Sequence, residues 1–93
     1  MIQEIRSSMP PAKVIAAAKQ FFAQRGGIYA VFLEQEGDGF VTFRGQGGEE
    51  IVIGATAAGS ATRVRGSTYL FDQQVGRFLT TLDPAPFAEQ VTA

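Results

Sequence analysis

Residues 28–44 read Ile28-Tyr29-Ala30-Val31-Phe32-Leu33-Glu34-Gln35-Glu36-Gly37-Asp38-Gly39-Phe40-Val41-Thr42-Phe43-Arg44, and the period of this stretch decides the fold. Tyr29, Val31 and Leu33 alternate with Ala30, Phe32 and Glu34. After the turn residues Glu36-Gly37-Asp38-Gly39, Val41 and Phe43 alternate with Phe40, Thr42 and Arg44. A period of two on both sides of a glycine-rich turn predicts a β-hairpin, with strands over about 28–35 and 40–44.

The same period continues downstream. Beyond the connection Gly45-Gln46-Gly47-Gly48-Glu49, the residues Ile51, Ile53 and Ala55 alternate with Glu50, Val52 and Gly54, which predicts a third strand over about 50–56. Ala58-Gly59 is the expected hairpin tip, and a fourth strand over about 61–70 follows, with Gly66 marking a bend or bulge.

Upstream and at the far end the period becomes helical. Val14, Ile15, Ala18, Phe21, Phe22 and Arg25 form one stripe of a helix over about 10–25, which Pro10-Pro11 can open and Gly26-Gly27 ends. Phe71, Val75, Phe78, Leu79 and Leu82 form the stripe of a second helix over about 72–82, with Asp72 as its N-cap and Asp83-Pro84 as its stop. Gly76 inside that helix costs about 1 kcal/mol relative to alanine and lets a neighbour pack close. A short turn over 86–91 is expected to pin Phe87.

Each strand connection is too short for a parallel crossover, which takes a dozen or more residues. Residues 1–93 are therefore expected to form one α+β domain. It is a two-layer sandwich, a four-stranded antiparallel meander with the N- and C-terminal helices on one face, in the order α-β-β-β-β-α. At the level of fold alone this order is similar to TATA-binding-like half-domains, helix-grip ligand binders and small acidic secretion chaperones. Such architectures host many functions, so the likeness implies none of them.

The turns propose a register. A tip at Ala58-Gly59 sets Ile53 opposite Val64 and Val52 opposite Arg65. The five-residue connection sets Arg44 opposite Glu50 and Phe43 opposite Ile51, and a three-residue turn at 37–39 sets Leu33 opposite Phe43. One face then holds Tyr29, Val31, Leu33, Val41, Phe43, Ile51, Ile53, Ala55, Val64 and Leu70, the only continuous apolar surface on which both helix stripes can be buried. The other face holds Phe32, Phe40, Arg44, Val52, Arg63, Arg65 and Tyr69 among mixed charges, and these seven are the candidate ligand-binding or interface residues.

What the chain lacks bounds its chemistry. It has no Cys and no His, so disulfides, zinc, iron–sulfur and haem ligation, and Cys–His or Ser–His–Asp nucleophilic machinery have no residues to use. No catalytic residue, metal or cofactor is predicted. An enzyme built from this chain would need a buried carboxylate or tyrosine with a displaced pKa. Eight basic against nine acidic residues give a net charge of −1, too little excess for a phosphate-neutralising stripe, so no nucleic-acid partner is expected.

Gly45-Gln46-Gly47-Gly48 resembles a phosphate cradle only superficially, since Glu49-Glu50 and a strand follow where a Lys-Ser/Thr and a helix belong. Glu36-Gly37-Asp38-Gly39 is too short for a calcium loop. Arg63 and Arg65 on one strand, with Arg44 nearby, could hold a small anion, the competing reading being ion pairing with Glu34 and Glu50. The longest helix-like apolar run, Val14 to Ala18, is far short of the roughly 20 residues that span a bilayer, and the first residues do not read as a secretion signal, so a cytoplasmic protein without a membrane partner is expected.

Two functions compete. A domain of 93 residues buries only about 60–65% of its unfolded surface, which favours a small homo-oligomeric, non-catalytic interaction module, self-associating as a homodimer or taking a protein partner on the second sheet face. The alternative is a binder of a small apolar or anionic molecule, its pocket lined by Phe21, Phe22, Phe43 and Phe78 between helices and sheet. Packing separates them: a binder leaves a concavity there, whereas a module fills it and exposes a flat patch.

Overall fold

The computed structural model describes residues 1–86. Its elements are strand β1 (Ile2–Ser7), helix α1 (Pro11–Ala23), strands β2 (Val31–Gly37), β3 (Phe40–Gly45), β4 (Glu50–Ala58) and β5 (Ala61–Tyr69), and helix α2 (Asp72–Thr80). The fold is α+β, an antiparallel sheet flanked by an N-terminal and a C-terminal helix. The predicted turn at 86–91, with Phe87, lies outside the described residues apart from Pro86.

The sheet has five strands in the order β1-β5-β4-β3-β2, one more than the expected meander. The added strand β1 runs antiparallel to β5, with Ile5 opposite Val64 and Ser7 opposite Thr62. Its inward residues are Gln3, Ile5 and Ser7, so the apolar alternation that reveals the other strands is absent. The two polar members are satisfied by backbone instead. The Gln3 amide donates to the Asp72 carbonyl at 3.0 Å, and the Ser7 hydroxyl donates to the Asp83 carbonyl at 2.6 Å. Gly76 makes room for this, since a Cβ there would stand 3.2 Å from Gln3 Oε1.

The β3–β4 pairing is the expected one, with Arg44 opposite Glu50 and Phe43 opposite Ile51. Leu33 lies opposite Phe43 as expected but by another route, a two-residue loop at Asp38-Gly39 combined with one extra residue, Glu34, bulged between Leu33 and Gln35. The β4–β5 tip is Gly59-Ser60, one residue later than expected, because Gly59 takes the left-handed φ of +64° at the first turn position. The register slides by two residues, so Ile53 faces Gly66 and Val52 faces Ser67. An even slide keeps every side chain on its predicted face.

Gly66 makes neither bend nor bulge, as β4 and β5 pair without interruption from Glu50–Tyr69 to Ala58–Ala61. It is buried beneath α2, and a Cβ there would approach Val75 Cγ1 to 2.5 Å. Asp72 is the first residue of α2 rather than its N-cap. The cap position falls to Phe71, whose N–H donates to Thr68 Oγ1 at 3.3 Å, while the Asp72 carboxylate sits 3.3 Å from the Met1 nitrogen.

The core lies between the helices and one sheet face. Val14, Ala18 and Phe22 of α1 and Val75, Phe78 and Leu79 of α2 close over Val41, Phe43, Ile51, Ile53, Ala55 and Val64. Three residues expected in that face are exposed: Tyr29, Leu33 and Leu70. Tyr29 belongs to a 3₁₀ turn (Gly27–Tyr29), since β2 starts only at Val31, and rests edge-on against Phe71 with ring centroids 5.9 Å apart. Leu70 swings out because the chain turns from β5 into α2 with φ of +80° at that residue. Leu33 stands on the edge strand β2, where Lys19 and Ala23 of α1 leave an open groove of about 390 Å³.

Candidate functional site

Both helices are used on one face of the sheet, and the opposite face is bare of any other described element. Cross-strand partners share a face, so the register arranges its side chains in rows. Phe32, Arg44, Glu50 and Tyr69 form one row. Thr42, Val52, Ser67 and Ile2 form the next, Phe40, Gly54, Arg65 and Glu4 the third, and Thr56, Arg63 and Arg6 the last.

The apolar members stand out into solvent. Phe32 is 57% exposed, Tyr69 68%, Ile2 56% and Phe40 37%, with Val52 half-buried near the middle. Phe32, Phe40, Val52 and Tyr69 were expected here; Ile2, Glu4 and Arg6 join them through β1.

One charged cluster is tightly held. Arg44 Nε and Nη2 donate to the two carboxylate oxygens of Glu34 at 3.1 and 3.0 Å, Nη2 also reaches Glu50 Oε2 at 3.1 Å, and Nη1 donates to the Gly48 carbonyl at 3.3 Å. Glu34, the bulged residue of β2, meets Arg44 as a two-pronged partner. The hydrogen bonds and charge of Arg44 hold the Glu34 carboxyl below its ordinary value, and those of Glu34, with Glu50 adding to them, raise the Arg44 guanidinium above its own.

This arrangement dissolves the three-arginine anion site. Arg44 is committed to two carboxylates in the first row, whereas Arg65 and Arg63 stand in the third and fourth on another strand. Glu34 and Glu50 therefore pair with Arg44 and not with Arg63 or Arg65. Arg63 instead has Glu4 at 4.0 Å, a loose contact, and among the described residues Arg65 has no carboxylate within that distance.

The four phenylalanines proposed as pocket lining are packed on one another. Phe22 lies with its ring centroid 5.0 Å from Phe43 and 5.5 Å from Phe78, and Phe21 stands edge-on to Phe22 at 5.0 Å and 5.6 Å from Phe78. Phe22, Phe43 and Phe78 are buried, and Arg25 lies over the outer ring, Phe21, at 4.3 Å. Aromatic rings at these separations fill the space between helices and sheet. Phe43 also lines the open groove beside Leu33, and another open groove, of about 480 Å³, lies between β1 and α2 and is lined by Ile5, Leu79 and Leu82.

Comparison with known proteins finds no matching family model, no matching curated protein and no matching solved structure. The site is therefore read from its own residues. Among the described residues no group of three or more acidic side chains is placed to hold a metal ion, and no helix is long and apolar enough to cross a membrane. Glu34 and Glu50 share the single guanidinium of Arg44, and Glu4 is held loosely by Arg63.

Proposed function

We propose that the protein is a small non-catalytic interaction module that self-associates as a homodimer through the bare sheet face. The observation that carries this reading is the cluster of exposed Phe32, Phe40, Ile2 and Tyr69 around Val52 on the one face neither helix covers. Small monomeric domains rarely expose contiguous apolar surface of this kind, and aromatic residues interleaved with arginine are the composition of interface centres.

The dimensions are sufficient. Five strands spaced about 4.8 Å apart, with rows about 6.7 Å apart along them, give a face of about 500 Å² per copy, hence about 1,000 Å² in a dimer, the lower bound for a specific interface. The apolar-ligand alternative draws no support from the phenylalanine cluster, whose rings occupy the space a ligand needs.

The test is sedimentation equilibrium of the unmodified protein and of Val52→Glu, which places a carboxylate in the middle of the patch without entering the core. A dimer that Val52→Glu converts to monomer with an unchanged far-UV spectrum is expected. A monomer at millimolar concentration, or a dimer indifferent to Val52→Glu, refutes the reading.

A further inference from the structure

Gly54 sits in the interior of β4, half-exposed on the bare face between Phe40 of β3 and Arg65 of β5. Glycine in a strand interior costs about 0.5–1 kcal/mol relative to alanine, so its presence needs a cause. The backbone does not require it, because Gly54 is not among the residues with positive φ. Packing against the described residues does not require it either. Among them a Cβ there would meet only the Gly39 carbonyl oxygen at 3.8 Å and the Arg65 carbonyl oxygen at 4.0 Å, both ordinary contacts. Gly66, Gly45 and Gly37 differ in this respect, since a Cβ at each would come within 2.5 Å of a side chain of the same molecule. A strand glycine open in this way marks a place where another backbone can approach closely.

Charge says what approaches. On the β1–β5 side of Gly54 the bare face carries Arg63 and Arg65 against Glu4, an excess of one positive charge. On the β2–β3 side Glu34 is matched by Arg44, and the hairpin tip adds the exposed Asp38, a negative charge at the end of that side. A two-fold axis running across the strands would lay each half on its own copy and set Arg65 against Arg65. An axis running along β4 brings the two Glu50 residues together, each held by its own Arg44, and lays the Arg63 and Arg65 side of one copy on the Asp38 side of the other twice over.

We infer that the occupant of the bare face is a second copy of this chain, docked about a two-fold axis that runs along β4 at Gly54, with the two glycines back to back. This rests on the self-association reading above and specifies its geometry. Strands are about 4.8 Å apart, so a partner rotated about β4 sets its β3 against β5. Arg65 of each copy then lies over the ring of Phe40 in the other, a cation–π contact, and Arg63 reaches the Asp38 hairpin tip of the other. Asp38 is exposed and has no ion pair among the described residues, and the weak hold of Glu4 leaves Arg63 able to turn toward it. Gly54 gives the sheets room to close to the separation at which these side chains meet.

The experiment measures the dimer dissociation constant of the full chain by sedimentation equilibrium in low and moderate salt. Gly54→Val is expected to raise it at least tenfold while the far-UV spectrum and thermal unfolding of the dissociated protein are unchanged or improved, valine being a better strand residue. Arg63→Glu and Asp38→Arg are each expected to raise it about fivefold or more. Mixing those two variants is expected to restore near-native affinity, because the heterodimer keeps one Asp38–Arg63 pair as it is and recreates the other with its signs exchanged. A dimer sensitive to Val52→Glu but insensitive to Gly54→Val, or charge variants that fail to complement each other, overturns the axis and leaves the face assignment standing. A monomeric unmodified protein overturns both.

Discussion

The contact between Gly66 and Val75 fixes how closely α2 lies on the sheet, and it can be tested by a thermodynamic cycle. A methyl group added at Gly66 would stand 2.5 Å from Val75 Cγ1, with Ile53 Cδ1 at 3.5 Å on another side. Relieving the first contact to an ordinary separation needs a retreat of about 1 Å by a helix whose Val75 is fully buried. Overpacking of this kind costs about 1–3 kcal/mol, and replacing glycine in a strand returns about 0.5–1 kcal/mol, so Gly66→Ala should destabilise by about 0.5–2 kcal/mol. Val75→Ala removes two buried methyl groups and leaves a small void, a loss of about 2–3 kcal/mol. In the double variant the new methyl enters the space the valine vacates. Its loss should fall short of the sum of the single losses by about 1 kcal/mol or more. Thermal unfolding followed by circular dichroism resolves this, since 1 kcal/mol corresponds to about 4–8 °C in Tm for a domain of this size. Additivity within about 0.5 kcal/mol would show that the helix does not rest on Gly66 as described.

Two further outcomes follow from the core and from the charged cluster. Phe43→Ala empties a site 3% exposed against Phe22 and should cost about 3–5 kcal/mol, much of the roughly 5–14 kcal/mol expected for a chain this long, so unchanged thermal melting would refute its place in the core. The Glu34 carboxyl should titrate below its ordinary value of 4.5 in the folded protein and move back toward it in Arg44→Ala. Because the folded value is the lower one, the contribution of this pair to stability is complete above the unfolded value and disappears as pH falls through the folded one. Carboxyl resonances followed by NMR check this, and a midpoint identical in the two proteins would sink it.

The hairpins and helices were legible because their apolar residues keep one period over several turns, as Ile51, Ile53 and Ala55 do at two and Val14, Ala18, Phe21 and Phe22 do on the helix. Strand β1 was not, because its inward face is Gln3, Ile5 and Ser7. Those polar groups are matched by the Asp72 and Asp83 carbonyls, partners that exist only once α2 and its exit are in place. The tip at Gly59-Ser60 was misplaced by one residue because Ala58, Gly59 and Ser60 are all plausible turn residues and only the φ of Gly59 chooses between them. The bare face survived that error since the slide was even. The pairing of Arg44 with Glu34 and Glu50 was legible as the ion-pair reading of the arginines, whereas the bulge at Glu34 is not announced by alternation. Gly54 reads in sequence as one more strand glycine, and only the space around it separates it from Gly66.

The strand missed in the sequence also bears on the proposed meeting of two copies of this chain. With four strands, β5 would have been an open edge and a natural place for a second sheet to continue the first. Strand β1 covers it, moving the edges outward to β1 and β2. At β1 the C-terminal half is already paired on its outer side, since Ala85 donates to the Arg6 carbonyl and Ser8 to the Asp83 carbonyl, both at 3.0 Å. At β2 the ladder is interrupted by the Glu34 bulge, and Glu36 is drawn toward the helix layer by Lys19 at 2.9 Å. Bulges and charged residues are the devices that blunt an edge against strand addition. Edge-to-edge growth is thus obstructed on both sides of the sheet, while its broad outer face, with Phe32, Phe40 and Tyr69 exposed around a glycine the fold itself does not need, is left open. The molecule protects the direction in which sheets aggregate without limit and leaves unprotected the direction in which a two-fold contact closes after one partner.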